Sequence, residues 1–508
     1  MKYHFAELTT ILILLAMSVS RFIDADEGYY LYASELVSQG YVPYLDFFYP
    51  QAPILPYIYS IAAKHGTLSW YYARILSALF CSISCLMMSR AIRSQYGDST
   101  GTLCLTMYAF SGWMLNWGTV IKSYPVSILL TVISTCIILT NRTRLPHITA
   151  AIIIACCTGV RLPMAICIVP IAGTILWSPI VNISTQNRKR ACLEFLIVFG
   201  FACFIIFGFF YNMDPDRFLF SNFEYHALRG DSGLIGNWRQ KLDTVFRALG
   251  IYGSERDMGI QSWIIFFAAL GSILLKKSRD HSLPIFGIGI AIAIAHLLPS
   301  PTYEQYFVML FAMLIPLASV FLSSEATLKP ATRILVTVIL IVYYVSGLST
   351  VTRATLTGNG ITGLSGHLEK WRIQGIIRMT KMASKLASGD NAMVYSTWSG
   401  YLVGLDKKII PGTENHFAQF IAPKLSEKER NRLNIPVISE IFARANNNLI
   451  VIKGVWVEKA EFAKIDSLVR HKVVFDHADQ QLLIYGSFEN DAQILRRGIG
   501  ECDLPHWQ

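Results

Sequence analysis

Residues 22–57 read FIDADEGYYLYASELVSQGYVPYLDFFYPQAPILPY, placing Asp24, Asp26, Glu27, Glu35 and Asp46 among aromatics and prolines directly after an apolar run. The fold turns on where that stretch lies relative to a membrane. The 508-residue chain is 53% hydrophobic and 15% charged, with a mean hydropathy of +0.42, whereas soluble domains average about 25% charged residues. Apolar runs recur at 8–23, 74–88, 103–117, 125–140, 148–157, 163–180, 195–211, 263–275, 283–298, 307–322 and 334–348. Crossing the hydrocarbon takes about 20 residues, so the shorter runs must borrow polar flanks or lie inside a bundle. The pattern predicts a polytopic α-helical membrane protein with about eleven transmembrane helices.

Charge position orients it. With the N-terminus cytoplasmic, the inside loops hold Lys2, Arg90, Arg93, Arg142, Arg144, Arg188, Lys189, Arg190, Lys276, Lys277, Arg279, Lys329 and Arg333. The short outside loops near 118–123, 158–162 and 299–305 carry only Lys122 and Arg161. This is the positive-inside asymmetry. The net charge of +10 is therefore mainly an orientation signal, and no nucleic-acid partner is implied. The first run ends AMSVS, which also fits a signal-peptide cleavage site, a reading that leaves the sidedness of the rest unchanged. Nine of the ten cysteines lie in or beside the apolar runs, where they act as small apolar residues. Only Cys502 lies in the tail, so no disulfide framework is expected. The sequons at Asn141 and Asn182 map to the cytoplasmic side and are read as unmodified.

Residues 24–73, 212–261 and everything beyond about 350 then lie outside. Both loops exceed the length of ordinary connectors. In the first, DEGYYLYASELVSQG reads as a short helix with acids in its first turn and Gly40 as its stop. Pro43, Pro50, Pro53 and Pro56 then forbid a continuous helix. In the second, Leu242, Val245, Phe246 and Leu249 share the spacing of an amphipathic surface helix. Residues 351–508 alternate charged helices with the β-rich runs AMVYS, KKIIP, NLIVI, KVVFDH and QLLIYGSF, with DHADQQ as a hairpin turn. They read as an extracytoplasmic α/β domain following a transmembrane domain over 1–350. No Gly-rich nucleotide fingerprint opens any of its helices, so it is read as a binding or positioning module.

A span, the acidic stretch DADEGYYLYASELVSQGYVPYLDFFYPQAPILPY, then SWYYARILSALF opening the second span, resembles the GT-C superfamily of integral-membrane glycosyltransferases. The likeness is greatest to the branch holding protein O-mannosyltransferases and the lipid A aminoarabinose transferase. The general layout covers the whole chain, while the residue likeness is confined mainly to 22–80, with a weaker echo in PSPTYEQYFVMLFAMLIPLAS. The resemblance implies a polyprenyl-phosphate sugar donor and transfer with inversion to a hydroxyl (lipid, glycan or protein) on the exterior face of the plasma membrane. It places Asp26 at the catalytic base, Glu27 as its neighbouring acid and Asp46 as the second acid of the loop. Where members of that branch often carry Lys in the proline-rich run, this chain has Gln51, which leaves open which cation meets the donor phosphate.

The chemistry asks for these residue types. A sugar on a lipid phosphate is already activated. What remains is to take a proton from the incoming hydroxyl, worth about 10²–10⁴-fold to a positioned carboxylate, and to neutralise the departing phosphate. The lipid stays in the bilayer, so the base must sit at the membrane surface. The bland alternative is that the acids cap and solvate a surface helix. That reading is preferred for Glu35, stays open for Asp24, and stands beside acceptor orientation for Asp46. Candidate phosphate partners are Lys122, Arg161, Arg229, His226 and Tyr303, with His226 and Arg229 three apart on one helical face. Arg74 reads as a span anchor, Arg217 as the partner of Asp214, and His296 as structural. First-loop acids could hold a divalent cation, but no His-rich ligand spacing occurs and no cofactor or required metal is expected. The rival readings are a polymerase or ligase of lipid-linked glycans, a flippase or transporter of lipid-linked sugar, and a non-catalytic scaffold. The absence of internal repeats argues against a transporter.

Overall fold

The computed structural model describes residues 2–140, 145–181, 183–184, 186–229, 238–252, 256–299, 301–325, 330–358, 371–386, 393–444, 449–453, 467, 471–474 and 481–485. Both sequons' asparagines, Arg142, Arg144, Lys329, residues 476–480 of the expected turn and Cys502 lie outside the described residues.

The chain opens with α1 (Lys2–Ser20), α2 (Glu27–Ser38), α3 (Ile54–Ala63), α4 (Ser69–Tyr96), α5 (Asp98–Ala109) and α6 (Gly112–Trp117). It continues with α7 (Ser123–Thr140), α8 (Pro146–Val160), α9 (Ile168–Trp177), α10 (Arg188–Met213), α11 (Pro215–Leu219), α12 (Tyr225–Arg229) and α13 (Trp238–Ala248). Then come α14 (Arg256–Leu274), α15 (Arg279–Leu297), α16 (Val308–Glu325) and α17 (Pro330–Thr352). Among the described residues, α1, α4, α7, α10, α15, α16 and α17 are long and apolar enough to cross a membrane, and α3, α8, α9 and α14 are apolar but shorter. This is a multi-pass membrane architecture. The most apolar stretch of α16 is 83% buried and that of α10 only 11%. The first is the bundle's centre. The second presents Ile197, Phe201 and Phe204 outward, as a lipid-facing helix must.

The expected span at 103–117 is not one helix. It stops at Ala109 and restarts at Gly112. Gln261 of α14 splints the break, accepting from the Gly112 N–H at 2.7 Å and donating to the Phe110 and Tyr343 carbonyls, each at 2.8 Å. The Phe110 carbonyl and the Gly112 N–H flank the break between two helices, and Gln261 gives both a partner in an apolar interior while tying them to α17 at Tyr343. The expected run at 163–180 likewise begins as a 3₁₀ turn, Leu162–Cys167, before α9. The surface helix at 238–248 does form, with Lys241 and Thr244 turned inward and Leu242 and Phe246 exposed.

The later part adds α18 (Ile373–Leu386), β1 (Met393–Ser396), β2 (Lys408–Ile409), α19 (His416–Ile421), α20 (Glu427–Leu433), α21 (Ile438–Arg444), β3 (Leu449–Lys453), β4 (His471–Val474) and β5 (Gln481–Tyr485). The five strands lie in the order β2-β1-β3-β5-β4. β1 is parallel to β2 and β3, with Val394 opposite Ile409 and Ile450, and β5 is antiparallel to β3 and β4. All five β-rich runs read in the sequence are strands of this sheet.

Two contacts fix α2, the helix that carries the acidic stretch. Beneath it, Glu27 and Arg74 of α4 are fully buried and paired through both carboxylate oxygens. The remaining capacity of the pair is filled. Arg74 donates to the Ser18 and Phe22 carbonyls, and Glu27 accepts from the Asp24 and Ile121 N–H groups. A buried ion pair is tolerable only when satisfied in this way. Above it, Trp398 Nε1 donates to the Ala25 carbonyl at 2.7 Å and stacks on Trp70 of α4. A Cβ on Gly28 would stand 2.6 Å from the Gly400 nitrogen and 2.8 Å from the Trp398 ring.

Removing one partner of the buried pair, as in Arg74→Ala, is expected to cost about 3–5 kcal/mol, read as a lowered unfolding midpoint. Gly28→Ala sets helix propensity, which favours alanine by about 1 kcal/mol, against overpacking of about 1–3 kcal/mol. Because the obstacle is backbone, overpacking wins. A lower midpoint and faster proteolysis of the C-terminal part are the expected readouts, and an unchanged midpoint would contradict the docking.

Candidate active site

Asp26 is the N-cap of α2, where an aspartate commonly turns back onto the first helical N–H groups. Here it makes no cap bond. Its side chain, still 28% exposed, goes instead to the Lys122 ammonium at 2.9 Å. Lys122 is buried at the end of the connection before α7. It also pairs with Asp24 at 2.5 Å and donates to Gln305 at 2.9 Å, with the Trp117 ring 5.3 Å away. The Asp26 N–H donates to Asp24 at 3.0 Å, so the three-residue turn is closed on itself. Burial presses Asp26 toward the neutral acid, but Lys122, helped by Arg229 and the nearby His416, outweighs it and holds the carboxyl below its ordinary range. Asp26 is an anion at neutral pH.

It faces a narrow cavity of about 30 Å³. Two guanidiniums stand in the walls. Arg161, at the C-terminal end of α8, donates to His296 Nε2 at 2.7 Å and to Ser123 at 3.1 Å, and lies over the Tyr306 and Tyr124 rings at 4.8 and 5.0 Å. The other His296 nitrogen meets the Ile292 carbonyl at 2.7 Å. Nδ1 therefore carries the proton and Nε2 is the acceptor that Arg161 needs. Arg229, at the end of α12, donates to the Tyr303 hydroxyl at 3.2 Å and lies over Phe417 at 5.2 Å. Tyr29, Tyr30, Pro50, Gln51, Tyr225 and Gln305 complete the lining, and Asp26 is its one carboxylate among the described residues.

Of the residues singled out in the sequence, the cavity brings together Asp26, Arg161, Arg229, Tyr303 and Gln51. The others stand elsewhere. Glu27, expected beside Asp26, faces the opposite way into its pair with Arg74 and has no exposure. Asp46 is exposed on the far side of α2, its carboxylate accepting from the Val42 N–H at 2.6 Å. Lys122, expected as a phosphate partner, is committed to Asp24 and Asp26. His226 is not in the lining, and burial beside Arg229 pushes its imidazole down to about 4, so it brings no charge. Arg74 is the anchor it was read as, and Asp24 proves to be an ion-pair partner. Gln305 and Phe417 were not anticipated. Phe417 comes from the C-terminal part, beside His416, whose imidazole burial pushes down to about 3. No local pattern marks either residue. Only the fold brings them to Asp26.

No family model matches the chain, and no curated protein matches it in sequence. Its structure is similar to that of ArnT, a lipid A aminoarabinose transferase, from Cupriavidus metallidurans bound to undecaprenyl phosphate: TM-score 0.65 at 12% identity, covering 99% of each chain. The apo state of the same protein gives 0.63 at 11% identity, over 95% of this chain and 97% of that one. The apo oligosaccharyltransferase of Archaeoglobus fulgidus gives 0.51 at 13% identity, over 88% of this chain and 69% of that one. The architecture that the acidic stretch pointed to is thus the one present: the chain has the GT-C fold.

Proposed function

We propose that this protein is an inverting glycosyltransferase that moves a sugar from a polyprenyl-phosphate donor to a hydroxyl acceptor on the outer face of the plasma membrane. The observation that carries the reading is the single ionised carboxylate, Asp26, set in a cavity whose only other charged groups among the described residues are Arg161 and Arg229. An anionic leaving group and a hydroxyl proton need those two kinds of partner. Support for a lipid donor comes from the similar ArnT, which was seen with undecaprenyl phosphate.

In the proposed reaction the acceptor oxygen attacks the anomeric carbon from the face opposite the phosphate. The carbon–phosphate-oxygen bond breaks, and its electron pair leaves with the lipid phosphate. Asp26 takes the hydroxyl proton as the new bond forms. A carboxylate held below its ordinary pKa is a weak base, so the proton moves only as the attacking oxygen becomes positive. Arg161 and Arg229, with the Tyr303 hydroxyl, receive the charge on the phosphate. Asp24 and Glu27 already neutralise Lys122 and Arg74, so we assign phosphate stabilisation to the guanidiniums. Lys122 orients Asp26, and Glu27 fixes α2. The basic loops support a cytoplasmic N-terminus, with residues 1–350 proposed as the transmembrane catalytic domain and 351–508 as an extracytoplasmic domain.

Asp26→Asn is expected to lower kcat about 10²–10⁴-fold in a transfer assay with labelled polyprenyl-phosphate sugars, with undecaprenyl phosphate still bound. Undiminished transfer would remove Asp26 as base. The ionised form is the active one and its pKa is depressed, so kcat/KM should be level from neutral pH downward and fall only below the ordinary aspartate range. An acid limb near 6 would point to a different group.

A further inference from the structure

A second and much larger hollow, about 1060 Å³, opens on the other side of α2 between that helix and the C-terminal sheet. This exceeds an ordinary small-ligand site. We propose that this cleft binds the acceptor and that the acceptor is an uncharged, hydroxyl-rich oligosaccharide. The proposal rests on the reading of Asp26 as the base. The segment 46–51 joins the two sites. Asp46 and Phe47 line the cleft, and both also line a smaller hollow with Phe48. Phe48 packs edge-on against Tyr225 of the Asp26 cavity at 5.4 Å, and Pro50 and Gln51 line that cavity directly. Glu35 lies nine residues along α2 from Asp26, roughly 14 Å at helical rise. The cleft is too far for the reacting hydroxyl and well placed for sugars further along a chain whose end reaches Asp26.

The lining chooses among occupants. Four carboxyls, Glu35, Asp46, Asp406 and Glu414, stand with three lysines, Lys64, Lys407 and Lys408. With Glu35 and Glu414 largely protonated by burial, the charges that remain, Asp46 and Asp406 against the three lysines, nearly cancel and form no cationic cluster of the kind a polyanionic acceptor needs. Burial pushes Glu35 up to about 8 and Glu414 to about 7, so both hold protons near neutrality and can donate as well as accept. Their backbone contacts, Gly404 N–H to Glu35 at 2.8 Å and Gly412 N–H to Glu414 at 2.9 Å, fix their orientation. Polyol hydroxyls want this two-way bonding, and the half-exposed Tyr41 ring at the rim offers an apolar face to a sugar. A peptide would instead pair with the sheet edge. That edge, β2, is two residues long, with Lys407, Lys408 and Pro411 in or beside it, features that blunt strand addition.

The test uses the full chain in lipid nanodiscs and end-labelled oligosaccharides released from the source cell envelope by mild acid, split by anion exchange into neutral and anionic pools, with the envelope peptide fraction alongside. Wild type is expected to bind the neutral pool. Asp406→Ala combined with Lys408→Ala, both exposed positions, should weaken that binding about tenfold or more, and Lys64→Ala on the opposite wall should weaken it too. Unfolding midpoints of the variants confirm folding. Equal binding by wild type and variants, preference for the anionic or peptide pool, or no binding by wild type would overturn the proposal. Loss of the Asp26 reading shows separately, as full transfer by Asp26→Asn with oligosaccharide binding intact.

Discussion

A carboxylate withdrawn from water must find a cation, and between residues 24 and 27 this chain draws three toward the membrane. Glu27 finds Arg74, Asp24 finds Lys122, and Asp26 shares Lys122 while keeping its outer face open. Neither cation is local in sequence. Pairing Glu27 requires α2 to lie on α4, and pairing Asp24 requires the connection before α7 to fold back beneath the acidic turn, where Ile121 also donates to Glu27. These demands set the end of α1, the tilt of α2 and the path of 118–122 together. The buried charges act less as a source of stability than as a specification. Many packings would bury the apolar faces of these helices, but few would also satisfy three anions.

Adjacent residues then acquire opposite roles from their place on one helix. Asp26 as N-cap and Glu27 as first helical residue point in different directions, one to the cavity and one to the bundle. The cavity's cations are held in a complementary way. Arg161 and Arg229 are carried over aromatic rings, and the nearest nitrogen base, His296, accepts from Arg161 without competing for its charge. A guanidinium stabilised through its face keeps its charge available at its edge. A carboxylate partner would have neutralised it. Such an arrangement suits an anion that arrives bound to lipid and leaves again.

The membrane class, many of the apolar helices and the partly exposed acid were legible because hydropathy and local spacing report them directly. The break at Phe110 was not, because it depends on one glutamine 151 residues away rather than on any loss of hydropathy. The division of labour between Asp26 and Glu27 was equally hidden. A resemblance can mark an acidic pair, but only the position of Arg74 shows which member is taken. Lys122 was found as a rare cation at an outer turn, but its pairs with Asp24 and Asp26 were hidden, since the sequence shows a charge without showing what neutralises it. His226 failed for the converse reason: its spacing with Arg229 was right, and that proximity, with burial, removes its charge.

The C-terminal part is tied to the acidic turn rather than merely attached after the last span. Trp398 holds the Ala25 carbonyl, Phe417 meets both Tyr29 and Arg229, and Gly404 holds Glu35. Residues before and after Asp26 are thus gripped from above, while Arg74 and Lys122 grip from below. The height of the carboxylate is set by both, and neither the bundle nor the sheet could fix it alone. On the proposed orientation this has a consequence for traffic. In the proposed reaction the lipid-borne donor approaches Asp26 from the bundle and the acceptor lies in the cleft beside the sheet, with α2 between them. A helix placed to separate two substrates must be held on both faces. That explains why a fully buried ion pair and a close backbone approach at Gly28 both fall on this one short helix.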